Sequence, residues 1–478
     1  MTPIVVGFDL DMTLVDSRPG IRVVYDVLSA ETGVFIDSEA AVSRLGPPLD
    51  DELALWFPAD QVAAAGDRFR ALYPEHAVPV SVLFPGAAES VRAVRAAGGR
   101  AVVITGKYAP NARLHLDHLG VEADALVGWA WGEGKTAALL EHAAHVYVGD
   151  HEADVRAAVA AGAVAVGVAT GATTADELRA AGADVVLADL AQFPDWFEGH
   201  LLALRLADLD RLLVGLGSVV VAFSGGADSA FLLAAAVRAL GPFHVVAATA
   251  VSSAMPGTEL AEARAFASGL GVRHVLPNTY ELTVEGYTTN AGDRCYFCKA
   301  ELLDVLRPVA DTLAVGHVAT GTNADDAVIG FRPGMRAAAE RGAVTPLLDA
   351  GLTKAQVRRA SQQWGLRTWD KPAAACLSSR IAFGIEITRD RLARVEQAER
   401  GLRETLAAAG LPVSDLRVRD LGELARVEVD AALVDEVSRR PELLDPVRTA
   451  GFAAVEVDHR GFRSGAMNEL LAEPERWR

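Results

Sequence analysis

The sequence predicts an α/β protein: two doubly wound α/β domains, then a smaller α+β segment. Three observations lead there. Through the first 200 residues, short Val/Ile/Ala runs, each ending in Gly, Asp or Thr, alternate with Ala-rich helical stretches. A second set of such runs begins at SVVVAFSGG, and after Phe383 the text changes to a long amphipathic helix and strands of alternating character. Continuous apolar runs are the mark of strands buried on both faces of a parallel sheet. Polar residues at their carboxyl ends place the chemistry along that edge.

The first domain is read over residues 1–198, with strands in IVVGFDLD, RAVVITG, HVYVGD and AVAVGVAT. No such run occurs between residues 18 and 85, where helical spacing predicts a helical insertion. The stretch AAVAAGAVAVGVATGA from Ala157 reads as a helix end, a turn and a buried strand. The Leu-rich segment LLALRLADLDRLLVGLG makes 199–216 a helical linker. The second domain, 217–383, takes strands from SVVVAFSGG, FHVVAATAV and TLAVGH. The third segment, 384–478, has a helix in RVEQAERGLRETLAAAG and strands in LRVRDLGELARVEVD and FAAVEVDHRG, and is read as a substrate or oligomerisation segment. There is no fixed-period repeat and no low-complexity tract.

Composition bounds the function. With 51% hydrophobic and 23% charged residues over 478 positions, the chain is globular, not disordered. Three cysteines exclude a disulfide framework and point to a reducing compartment, so a cytoplasmic protein is expected. Acidic residues in MTPIVVGFDLDMT occupy the place of a signal peptide's apolar region, and no apolar run is long enough for a membrane span. The net charge of −18 argues against a general nucleic-acid binder. About −15 of it lies in the first 216 residues, so the second half is nearly balanced. The expected partner is a small-molecule nucleotide substrate, with a homo-oligomer possible.

Four elements of the first domain carry chemistry: Asp9 and Asp11 in DLDMTLVDS, Thr105 in VVITGK, Lys135 in GEGKTAALL, and Asp150 with Asp154 in VGDHEADVRAA. A carboxylate can attack phosphorus, and a neighbouring carboxylic acid can protonate the leaving oxygen. Close carboxylates repel and need a cation, and Mg²⁺ suits an all-oxygen site. The plain alternative is that strand-end Asp and Thr side chains only cap helices. GWAWGEGKT mimics a nucleotide-binding Walker loop, but its spacing is one residue too long and no strand precedes it. Together these motifs resemble the haloacid dehalogenase (HAD) phosphohydrolase superfamily, with 18–85 as its small helical cap. The resemblance implies Asp9 as nucleophile, Asp11 as general acid/base, Thr105 and Lys135 as phosphate contacts, and Mg²⁺ bound at Asp9, Asp11, Asp150 and Asp154.

In the second domain, the strand SVVVAF runs into SGGADSAFLLAAAV. A glycine pair between strand and helix lets amides face an anion, and the helix N-terminus adds its dipole. Ser224, Gly225, Gly226 and Ser229 are the expected phosphate cradle, with Asp228 positioning Mg²⁺ and Asn323 of GTNADD near the same nucleotide. This is similar to the SGGxDS loop of the N-type ATP pyrophosphatases (the PP-loop family), which implies ATP as the cosubstrate.

Cys295 and Cys298 form RCYFCK, and Cys376 lies in KPAAACLSSR. Three thiolates can hold three irons of a 4Fe–4S cluster and leave the fourth open. The pair could instead bind zinc or act as a redox couple, and all three could be small buried hydrophobes. RCYFCKAELLDVL, GHVATGTNADD, FRPGMRAAAERGAVTPLL, LTKAQVRRA, TWDKPAAACLSSRIAFG and HRGFRSGAMNE follow in this order. Together they resemble the LarE sulfur transferases of nickel-pincer nucleotide synthesis. That resemblance implies adenylation of a carboxylate of pyridinium-3,5-biscarboxylic acid mononucleotide, then replacement of AMP by sulfur. The three-cysteine pattern implies the cluster-dependent route, and Cys376 aligns with the cysteine that single-cysteine members sacrifice.

Such chemistry needs a good leaving group and a tethered sulfur close to the acyl carbon, which raises its effective concentration. An anionic substrate also needs cations: Arg380 beside Cys376, and Arg417 and Arg419 in LRVRD, are candidates. A solvated strand face is the plain reading of the last two. Rival functions are tRNA thiolation, an amide-forming ATP pyrophosphatase such as an NAD synthetase, and a HAD fold kept as a silent regulatory module. The first lacks an evident basic stripe with aromatics. The second leaves the cysteines unexplained.

Overall fold

The computed structural model describes residues 3–328, 333–372, 376–463, 467 and 469. Parts of the FRPGM, KPAAAC and RSGAMNE stretches lie outside the described residues. The chain divides into two compact units, 1–201 and 202–478, so the segment after Phe383 belongs to the same unit as the second parallel sheet.

The first unit is built on a six-stranded sheet. Its strands are β1 (Val5–Phe8), β4 (Arg100–Ile104), β5 (Ala125–Val127), β6 (Val146–Gly149), β7 (Val164–Val168) and β8 (Val185–Leu187). They run in the order β5-β4-β1-β6-β7-β8, and every pairing is parallel. The short antiparallel pair β2 (Val15–Asp16) and β3 (Val82–Leu83) brackets four α-helices between Arg18 and His76. These helices bury a separate core around Val24, Leu28, Leu53, Phe69 and Tyr73. Helix Glu152–Ala161 stops at Gly162, whose φ of 70° suits a residue without a Cβ, and β7 follows. β5 and β8 went unread in the sequence because each edge strand is only three residues, too short to stand out as an apolar run.

The second unit holds a parallel sheet in the order β11-β10-β9-β12, from β9 (Val219–Ala222), β10 (Val245–Ala248), β11 (Arg273–Val275) and β12 (His317–Thr320). The strand expected in TLAVGH lies later. Helix Arg294–Thr312 takes Thr312, Ala314 is left-handed at φ 54°, and only from His317 does the chain extend. A third sheet pairs β13 (Leu416–Asp420) antiparallel to β14 (Leu424–Val429) and β14 parallel to β15 (Ala454–Val457). β13 does not show the expected alternation: all five residues are buried, Arg417 and Arg419 included. Among the described residues no helix is long and apolar enough to cross a membrane.

Candidate active sites

In the first unit the carboxyl ends of β1, β4 and β6 meet. Asp9 follows β1 directly, and its amide donates to the Val148 carbonyl at 2.8 Å. Asp150 follows β6, and Asp154 stands in the first turn of helix Glu152–Ala161. A Cβ on Gly149 would fall 2.4 Å from that of Asp154, so only glycine lets the helix start this close to the strand. Carboxylate oxygens of Asp9, Asp150 and Asp154 lie within 4.8 Å of one another, all three residues buried. Three hard anionic oxygens at that spacing fit Mg²⁺.

Lys135, fully buried, reaches this group from helix Glu133–Glu141: its Nζ is 2.8 Å from Asp9 Oδ1 and also bonds Asp154 Oδ1. Thr13 donates to Asp150 Oδ1 at 3.0 Å. Burial pushes the Asp9 carboxyl up to about 7, against the pull of Lys135 and with the push of Asp154. Burial also drives Asp150 well up, helped by the charges of Asp9 and Asp154. For Lys135 burial works against the charge, but Asp154 and Asp9 outweigh it and keep the ammonium protonated. The repulsion that made a cation necessary on paper is thus present in the fold.

Asp11 stands apart from the metal-competent group, because its carboxylate is engaged by Lys107 at 2.6 Å. This differs from the expectation that Asp11 shares the magnesium. Burial would raise Asp11, yet the Lys107 charge and hydrogen bond hold it below the usual carboxylate range. Thr105 is buried at the end of β4, where its Oγ1 accepts from the Lys107 amide at 3.2 Å. Asp9, Asp11, Thr105, Lys135, Asp150 and Asp154 all line one cavity of about 270 Å³, whose far wall comes from the helical insertion. Lys107 was missed, although it stands two residues after Thr105. His151 caps its helix through Nδ1, which accepts from the Ala153 amide.

In the second unit β9 runs into the Ser224–Ser229 loop. Gly225 is left-handed at φ 78°, and helix Ala227–Leu240 begins after Gly226. Ser229 Oγ accepts from the Ser224 amide at 3.3 Å and lies 3.1 Å from Ser224 Oγ, which closes the loop around its own hydroxyls. A Cβ on Gly321 would come within 2.9 Å of the Ser229 amide nitrogen, so the loop after β12 abuts the helix start. Asp228 Oδ1 is buried without a hydrogen-bond partner among the described residues, which fits a cation ligand. Burial raises the Asp228 carboxyl, against the pull of Lys354. Asn323 stands against this loop, its side chain hydrogen-bonded to Asp228, and it also caps helix Ala324–Val328, its Oδ1 accepting from the amides of Asp325 and Asp326 at 3.0 and 3.2 Å.

Cys295 and Cys298 sit in the first turns of helix Arg294–Thr312, three residues apart and so on neighbouring positions of one face. Arg294 ties that helix to the turn after Cys376, its Nη1 donating to the Ser378 carbonyl at 3.0 Å and to Asn290 Oδ1 at 2.6 Å. Cys298 and Cys376 line a cavity of about 400 Å³ together with Ser224, Gly226, Asp228 and Ser229. Cys295 is exposed. Burial, then the neighbouring Cys376, Glu281 and Cys295, push the Cys298 thiol far up, so without a metal it is a thiol. Lys299, unflagged in the sequence, also lines this cavity, and its burial lowers its ammonium pKa.

The three arginines gather, but not in that cavity. Arg380 Nε donates to Glu399 at 2.9 Å and its Nη1 to the Cys376 carbonyl at 3.1 Å. Arg419 pairs with Glu428 at 2.7 Å and donates to the Ser379 carbonyl at 3.2 Å. Arg417 donates to the Leu416 carbonyl at 2.7 Å and lies over the Phe462 ring. Burial and the charge of Arg380 lower the Arg417 pKa. A solvated strand face is therefore not what these residues form.

Residues 6–158 match the haloacid dehalogenase-like hydrolase family, and 135–193 match a second HAD-hydrolase-like family. A phosphoglycolate phosphatase of Cereibacter sphaeroides is 31% identical over 33% of this chain and 81% of its own. An uncharacterized protein of Synechocystis sp. is 39% identical over 57% of this chain and 100% of its own. The pyridinium-3,5-bisthiocarboxylic acid mononucleotide synthase of Lactiplantibacillus plantarum is 33% identical over 57% of this chain and 97% of its own. The chain belongs to the LarE family, with a haloacid dehalogenase-like hydrolase domain ahead of the LarE half. The aspartate cluster is the hydrolase domain's catalytic-like group. The loop and the cysteines lie in the LarE half.

Proposed function

We propose that the LarE half uses ATP·Mg²⁺ to adenylate a carboxylate of pyridinium-3,5-biscarboxylic acid mononucleotide and exchanges the AMP for sulfur, and that the hydrolase domain is a Mg²⁺-dependent phosphatase. One observation carries the first part: the anion-cradling loop and two of the three cysteines face a single cavity. The loop amides and the hydroxyls of Ser224 and Ser229 receive the phosphates. Asp228, with its unpartnered oxygen, would hold a Mg²⁺ ion there, which would neutralise phosphate charge. Attack of the carboxylate on the α-phosphorus releases pyrophosphate and leaves an acyl adenylate beside Cys298 and Cys376. Sulfur attack on that acyl carbon expels AMP and leaves a thiocarboxylate.

Cys295, Cys298 and Cys376 are a donor set that would suit a 4Fe–4S cluster with three protein ligands, since Cys298 shares its helix turn with Cys295 and its cavity with Cys376. Such a cluster supplies an open iron able to carry sulfide. Arg294 fixes the Cys376 turn against the CxxC helix in either route of sulfur supply.

In the hydrolase domain Asp9 attacks phosphorus and expels the alcohol, and water then cleaves the resulting aspartyl phosphate to free phosphate and the restored carboxylate. Mg²⁺ held by Asp9, Asp150 and Asp154 supplies charge neutralisation at the phosphoryl oxygens.

The test is anaerobic incubation of the iron- and sulfide-quantified protein with the biscarboxylate mononucleotide and ATP·Mg²⁺. Pyrophosphate, AMP and a thiocarboxylate detected by mass are the expected products. Cys376→Ala keeps pyrophosphate release but loses the thiocarboxylate. A protein that adenylates nothing, or that thiolates tRNA instead, overturns the reading. An iron-free protein that transfers one sulfur and loses that mass at Cys376 overturns the cluster route alone.

A further inference from the structure

We infer that the hydrolase cavity takes a phosphate monoester whose leaving alcohol carries a planar aromatic ring and no second anionic group. The inference rests on the phosphatase reading of Asp9 and gives it a substrate class.

The first support is charge matching in the wall. Lys107 pairs with Asp11 at 2.6 Å, Arg44 with Glu52 at 2.6 Å, and Arg70 with Asp50 at 2.9 Å. Lys135 is engaged by Asp9 and Asp154. Every lysine and arginine of the described lining therefore already faces a carboxylate. A carboxylate or second phosphate on the substrate would find no unmatched cation there. It would instead lose water beside Asp50 and Glu52, which is unfavourable without a partner.

The second support is Trp129. It lies on the cavity wall, 59% exposed, with a left-handed backbone at φ 58°. A bulky non-glycine residue in that conformation is strained, and such outliers concentrate where a side chain has to be presented. The loop is pinned: the Trp129 amide donates to the Lys107 carbonyl at 2.9 Å, and a Cβ on Gly128 would come 2.6 Å from Ala109 Cα. The Tyr108 ring stands nearly perpendicular to the indole, 5.6 Å between centroids, and the Arg70 guanidinium lies over one face of the indole, 4.8 Å from its centroid. An aromatic ring held rigid and wet at a cavity already rich in apolar side chains is a stacking platform for another ring. The hydrolysis itself is balanced: the bond from phosphorus to the alcohol oxygen breaks, water gives its oxygen to phosphate and a proton to the alcohol.

The test uses the full-length protein with Mg²⁺ and four esters of ordinary alcohols: benzyl phosphate, glycerol 3-phosphate, 2-phosphoglycolate and 4-carboxybenzyl phosphate. Because all are alkyl esters, leaving-group reactivity does not bias the comparison toward the ring. Benzyl phosphate is expected to exceed glycerol 3-phosphate and 2-phosphoglycolate about tenfold or more in kcat/KM, and the added carboxylate to remove most of that advantage. Trp129→Ala narrows the benzyl-to-glycerol ratio to within about threefold, and Trp129→Phe preserves more of it. Equal or faster turnover of 2-phosphoglycolate, or a ratio untouched by Trp129→Ala, overturns the substrate class while leaving the phosphatase reading intact. If none of the four is hydrolysed above the Asp9→Asn level, the phosphatase reading falls and the inference with it.

Discussion

Lys107 Nζ lies 2.6 Å from Asp11 Oδ1, across 96 residues of sequence, and both side chains face the hydrolase cavity. Lys107 also sits 4.6 Å from the centroid of the Tyr73 ring, in the helical insertion. One ammonium thus links the end of the first strand, the loop after β4 and the helices above them. Removing it in Lys107→Met should destabilise the hydrolase domain by roughly 1–3 kcal/mol, the range for a charged hydrogen bond left half-made. Denaturant unfolding of Lys107→Met, Asp11→Asn and the double variant should give a double loss smaller than the sum of the singles. Additive losses would show that the pair is not coupled.

Lys135 is the cation that the three clustered aspartates have in the absence of metal. Lys135→Met should lower the melting temperature in chelator by several degrees. Adding millimolar Mg²⁺ should restore more of it than the same addition gives the parent protein, because binding to the folded state alone stabilises by mass action. Equal Mg²⁺ responses in the two proteins would count against a metal site at this cluster.

Gly321→Ala places a Cβ against backbone of Ser229, which cannot swing aside as a side chain can. ATP-dependent pyrophosphate release should fall at least tenfold. The hydrolase domain's phosphate release should be unaltered in the same preparation, measured with any ester it accepts.

Cys295 is exposed, whereas burial and its neighbours hold the Cys298 thiol protonated. In iron-free protein at pH 8, iodoacetamide should label Cys295 at least tenfold faster than Cys298 by peptide mass mapping. Faster labelling of Cys298 would contradict its environment. Bound iron should slow labelling at both.

Burial, with the Lys107 charge, pulls His115 down to about 4 from its ordinary 6.5. Its ring lies 3.1 Å from the Tyr73 hydroxyl, between Nε2 and the oxygen. Below pH 6.5 the unfolded chain therefore binds a proton that the folded chain refuses. Stability from this group is full above 6.5 and falls as the pH drops toward 4, by at most about 1.4 kcal/mol per unit. His115→Gln should flatten the acid limb of a melting-temperature profile across that window. An unchanged limb would show that the histidine does not titrate there.

Much of this protein was readable in one dimension. Buried parallel strands need apolar runs, and anion loops need glycine between a strand and a helix. Asp9, Asp150, Asp154 and the Ser224–Ser229 loop therefore announced themselves by local text, as did the cysteine pair three residues apart. Partner choice was not readable, because it depends on which side chains of distant segments converge. Only the folded chain turned Asp11 toward Lys107, made Asn323 a helix cap, joined Arg419 to Glu428 in a buried pair and set Trp129 on the cavity wall. Ion pairs and caps are settled by three-dimensional neighbourhood and by the cost of burying charge without a counter-charge, neither of which leaves a fixed spacing in the sequence.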